Sequence, residues 1–99
     1  MSMSREQVAR TLGITGWVIQ KYINNGWIAP QATGGGTSKR YVFTDADIER
    51  VCQIYEFHME RTRKLFPNRY REIMENYRGL EWQEKMQKRP VKLTTVERV

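Results

Sequence analysis

The side chains suited to recognition chemistry lie between residues 15 and 41. Gln20 carries a paired donor and acceptor, the combination that meets adenine in a DNA major groove, and Lys21 can donate to guanine or to a phosphate. Thr15 and the amides beside Gly16 stand at an expected helix start, where an anion such as phosphate is favoured. Trp17 offers a flat apolar face, equally suited to a sugar or thymine methyl and to a protein core. Farther on, Lys39, Arg40 and Tyr41 follow the triplet Gly34-Gly35-Gly36. Two cations there would grip phosphates or reach a minor groove. Arg5 and Arg10 are further candidates for phosphate contacts, with a solvated surface as the equal alternative.

These residues need a scaffold, and the stretch from Ser4 to Gly26 supplies one. Ser4 with Gln7 spells a capping box, and Val8, Ala9 and Leu12 share one helical face. Gly13 suits a left-handed helix terminus. Thr15 can cap a second helix whose apolar stripe is Val18, Ile19, Tyr22 and Ile23 and which Gly26 stops. Gly16, Trp17, Gln20, Lys21 and Asn24 are left on the outer face. Two short helices around a glycine turn form the helix-turn-helix layout, and the second helix is expected to enter a DNA groove. Pro30 and the glycine triplet then predict a small hairpin over residues 31–43, either a flexible surface turn or, the preferred reading after a helix-turn-helix, a wing following the DNA backbone. The glycines fit neither nucleotide-binding spacing, so a phosphate-cradling loop of that kind is rejected.

Thr44 caps the next expected helix, with Asp45 and Asp47 in its first turn, where the dipole favours anions. Ile48, Val51, Cys52, Tyr55, Met59, Thr62 and Phe66 continue the stripe and imply a helix to about Leu65. Pro67 breaks that run or opens a new helix, whose face of Tyr70, Ile73, Met74 and Tyr77 is expected to end at Gly79. Leu80, Trp82 and Met86 suggest a last, weaker helix before Pro90. The aromatic and methionine residues of this half either fold back on the domain or seal a dimer. The second option is preferred, with Tyr55, Met59, Phe66, Tyr70, Ile73, Met74 and Tyr77 as dimerisation residues.

Composition agrees with a nucleic-acid partner. The 99 residues carry a formal net charge of +6. Residues 1–43 hold five basic and one acidic residue, 44–59 one basic and four acidic, and 60–99 eleven basic and six acidic. The first and last segments are therefore basic and the middle one is not a groove binder. The lone cysteine, Cys52, admits no internal disulfide, fits a reducing compartment and reads as a packed thiol. The lone histidine, His58, has no metal-ligand companions, and Glu56 and Glu60 beside it are ordinary helix residues. Catalysis is not expected, and neither a metal nor a cofactor. Apolar runs are too short for a membrane span, and a cytoplasmic, nucleoid-associated protein is expected.

Residues 4–54 resemble the DNA-binding domain of MerR-type winged-helix regulators and of the related phage excisionase-like proteins. The resemblance rests on Ser4 to Gly13, then Ile19, Tyr22, Gly26, Trp27, Ile28 and Pro30, then Phe43, Thr44, Asp45 and Asp47. It implies the fold and its docking in the groove. The family usually carries an arginine and a tyrosine where this chain has Gln20 and Lys21, and a wing arginine where it has Tyr41. The target sequence therefore does not carry over. Metal sensing would need cysteines near a long dimer helix, which Cys52 alone does not supply.

The resulting expectation is a mainly α winged helix-turn-helix, with a two-stranded wing and additional C-terminal helices. Residues 1–59 form the DNA-binding domain, 60–90 a helical extension for dimerisation, and 91–99 a tail. The protein is read as a dimeric, sequence-specific transcriptional regulator on double-stranded DNA, with no small-molecule ligand indicated. An excisionase-like, packaging or partition factor is the alternative, and a protein-interaction adaptor the further one.

Overall fold

A computed structural model describes residues 2–34 and 40–87. Its elements run α1 (Arg5–Leu12), α2 (Gly16–Asn24), β1 (Gln31–Thr33), β2 (Arg40–Val42), α3 (Asp45–Leu65), α4 (Pro67–Asn76) and α5 (Gly79–Gln87). This is the mainly helical winged architecture the sequence predicts, with extra helices after the wing.

Local chemistry sets the boundaries. Ser4 and Gln7 form a reciprocal capping box at α1, and Gly13 ends the helix at φ 72°. Thr15 caps α2 by accepting from the Val18 amide. A second capping box joins Thr44 to Asp47 at α3. At Phe66 the helix must break, because the following proline disfavours helical backbone there; Pro67 then occupies the first position of α4, where a missing N–H costs nothing.

The wing is a short antiparallel pair with Gln31 opposite Val42, Ala32 opposite Tyr41 and Thr33 opposite Arg40. The chain start extends its base: Met3 and Phe43 exchange both backbone hydrogen bonds, at 3.0 and 2.8 Å. Residues 35–39, with Lys39 among them, lie outside the described residues, as do 88–99 and the tail expected at 91–99.

One core serves all the helices. Val8, Leu12, Ile19, Phe43, Ile48, Val51 and Cys52 are fully buried, and Ile14, Tyr22 and Ile28 join them. Each such aliphatic or aromatic side chain contributes about 1.5–3 kcal/mol by leaving water. The core continues through Met59, Tyr77 and Trp82, with Tyr55, Tyr70, Ile73 and Met74 packed on its edge. Of the apolar stripe expected to meet a second chain, Met59 and Tyr77 are buried here and Tyr55, Tyr70, Ile73 and Met74 half-buried. Of the residues nominated for dimerisation, Phe66 keeps most of its surface, at 60 % exposed. α3 also runs through the boundary expected at residue 59, so the two segments share this core.

Gly79 departs from expectation. It opens α5 instead of ending α4, which stops at Asn76 while Tyr77 turns extended. The turn is held by the Arg78 amide, which donates to the Leu12 carbonyl at 2.7 Å. The glycine is needed because the Tyr77 ring lies over it, where any Cβ would collide. The return is locked by Glu56 of α3, whose Oε2 accepts from the Tyr77 hydroxyl at 2.7 Å and from Gln83 Nε2 at 2.8 Å.

Candidate nucleic-acid interface

α2 is amphipathic in the required sense. Ile19 and Tyr22 are buried and Val18 and Ile23 half-buried, so Trp17, Gln20, Lys21 and Asn24 point the other way. Trp17 resolves to the surface: it is 71 % exposed, with the Lys21 ammonium 5.7 Å from its ring centroid. That cation–π contact contributes about 0.5 kcal/mol at an open site, enough to bias two side chains but not to fix them. Tyr22, by contrast, is core, and burial raises its hydroxyl well above the usual tyrosine range.

The nominated residues fall into two groups on either side of the α2 ridge. Gln20, Arg40 and Tyr41 line a recess of about 510 Å³ together with Ser4, Arg5 and Glu6. Here the start of α1, the middle of α2 and the wing converge. Arg40 is exposed at the start of β2, whereas Tyr41 is half-buried and packs on the core. Thr15, Trp17 and Lys21 instead border a cleft of about 600 Å³ facing α3 and α4, whose far wall includes Tyr55, His58 and Arg69. Gly16 lies at the first position of α2, next to the Arg5 side chain.

Sequence reasoning missed one contributor and left another as one of a pair. Arg69 brings a cation to the Lys21 cleft from a helix that sequence alone could not place beside α2. Arg5 was one of two equivalent arginines on α1, but only the structure separates them. Arg10 is exposed, while Arg5 is two-thirds buried and donates from Nη1 to Gln20 Oε1 at 2.6 Å and from Nη2 to Glu6 Oε2 at 3.0 Å. Gln20 in turn donates from Nε2 to Asn24 Oδ1 at 3.0 Å. Backbone hydrogen bonding and the Arg5 guanidinium hold the Glu6 carboxyl below the usual carboxylate range.

The arrangement suits a polyanion with readable edges: cations at Lys21, Arg40 and Arg69 flank a ridge of amide side chains. No helix among the described residues is long and apolar enough to cross a membrane. A family model described as MerR HTH family regulatory protein matches residues 3–63. No curated protein and no solved structure matches the chain.

Proposed function

Because the chain belongs to the MerR HTH family of regulatory proteins, we propose that it binds double-stranded DNA with α2 in the major groove and the wing on the backbone or minor groove. Its role is that of a small transcriptional regulator acting as a homodimer. The observation that carries this reading is the polar ridge of α2, opposite the face that buries Ile19 and Tyr22 and flanked by the Arg40 strand. Gln20 reads adenine, Lys21 meets guanine or a phosphate, and Trp17 packs on sugar or a thymine methyl. Thr15 and Gly16 place the α2 start near a phosphate, and Lys39, Arg40 and Tyr41 belong to the wing contact. For the dimer, Phe66 is supported by its exposure and by its neighbour Leu65, 65 % exposed. Tyr55, Met59, Tyr70, Ile73, Met74 and Tyr77 then support that face from beneath.

The test is selection of bound DNA from a random pool, with the mass of the complex measured. Inverted half-sites carrying two chains are expected. Arg40→Ala should weaken binding to every sequence and lower the slope of log affinity against log salt by about one. Gln20→Ala should relax one base pair. If neither change alters DNA binding, the docking is wrong. A second reading, an excisionase-like factor binding in series, is favoured by the return of α4 and α5 onto their own core, which leaves less apolar surface for a partner. Direct repeats occupied by single chains would select it.

A further inference from the structure

The geometry points to Arg5 as a specificity-determining residue that never needs to touch a base. It sets the direction of the amide of Gln20, and through Gln20 that of Asn24. The inference rests on the reading that α2 enters the major groove.

A glutamine amide can present its oxygen and nitrogen in either order, and reversing them exchanges acceptor for donor. Arg5 removes that freedom. A guanidinium has donors only, so the group 2.6 Å from Arg5 Nη1 must be the oxygen of Gln20. The nitrogen of Gln20 is then directed at Asn24, which must answer with its own oxygen, at 3.0 Å. Asn24 is left with its NH2 group and one lone pair on Oδ1. One charged side chain on α1 thereby orders two amides on α2.

Arg5 is itself held. Its Nη2 is paired with Glu6, while its Nε is buried without a hydrogen-bond partner among the described residues. A Cβ at Gly16 would lie 3.8 Å from that Nε, so the guanidinium passes close to the start of α2. An arginine held between Gln20 and Glu6 resembles a template more than a mobile phosphate grip.

The ordered amides keep usable valences. Gln20 retains one lone pair on Oε1 and one hydrogen on Nε2, the acceptor–donor pair that adenine N6 and N7 require. Asn24 retains both donors, which suit guanine O6 and N7 or thymine O4, against a single remaining lone pair for the cytosine amino group. With the Gln20 amide free to reverse, the match to adenine would be lost in part of the population.

The experiment compares selection of bound DNA by the wild-type chain, Gln20→Ala, Arg5→Met, Arg5→Lys and Asn24→Asp. Wild type should enrich adenine at the base pair that Gln20→Ala relaxes. Arg5→Met should lower the preference for adenine at that same pair about 5- to 10-fold. Arg5→Lys, whose ammonium also has donors only, should keep more of that preference than Arg5→Met. Asn24→Asp still accepts from Gln20, so it should keep the adenine and move its own base pair towards cytosine. In the free protein, the two Nε2 protons of Gln20 should show NMR signals of an ordered amide that Arg5→Met averages. Equal weakening on all sequences by Arg5→Met, with the adenine preference intact, overturns the proposal while α2 remains the reader. Absence of any enriched site, or of any effect of Gln20→Ala, overturns both.

Discussion

Gly13 carries two separate demands. Its backbone is left-handed, at φ 72°, and a side chain there would run into the Asn76 carbonyl of α4. Gly26 shares the first demand, at φ 75°, but faces open space. The pair separates backbone strain from collision. Gly26→Ala should cost about 1 kcal/mol from the left-handed conformation alone. Gly13→Ala should cost about 3 kcal/mol, because the docked backbone of α4 must also move; urea unfolding of the two variants measures the difference. The sequence identified Gly13 as a helix terminus because that role is local. Its closeness to Asn76 was invisible, since it depends on a contact more than sixty residues away in the chain. The same holds for Trp17. Its spacing placed it on the outer face of α2, but only the position of α3 and α4 showed that nothing covers it.

At the scale of elements, the helices and their caps were legible nearly to the residue, because capping boxes, prolines and apolar periodicity act over a few positions. What the apolar stripes pack against was not. A stripe at Tyr70, Ile73 and Met74 looks the same whether it meets its own chain or another; in the structure these residues are half-buried against their own core. The deciding residues are Trp82, 8 % exposed, and the hydrogen bonds converging on Glu56. Their weights differ. Trp82→Ala should cost about 3 kcal/mol and speed amide exchange along α5. Tyr77→Phe removes one hydrogen bond and should cost about 1 kcal/mol. Thermal unfolding and hydrogen exchange distinguish these outcomes. Equal costs would mean that the polar lock, not the apolar anchor, holds α5.

For the molecule as a whole, the shared core makes alkali the informative stress. Burial pushes the Cys52 thiol up to about 11 from its ordinary 9.0, an effect partly offset by the Tyr77 hydroxyl beside it. The folded state therefore holds this proton more tightly than the unfolded chain. That stabilisation is complete below about pH 9 and disappears as pH rises through about 11, an effect of order 2 kcal/mol. Burial of the Tyr22 and Tyr77 hydroxyls acts in the same direction. The urea midpoint should thus change little from pH 7 to 8 through these groups and fall between pH 9 and 11. Cys52→Ala should lower stability overall yet flatten part of that fall.

The hydrogen bond from the Arg78 amide to the Leu12 carbonyl has a further consequence. It makes the corner between α4 and α5 a part of the turn that sets α2. The segment matched by the family, residues 3–63, ends before that corner. A fragment cut there would lose Tyr77 and Trp82 from its core and leave the Leu12 carbonyl without this donor. Residues beyond the matched segment therefore contribute to the core on which α2 packs.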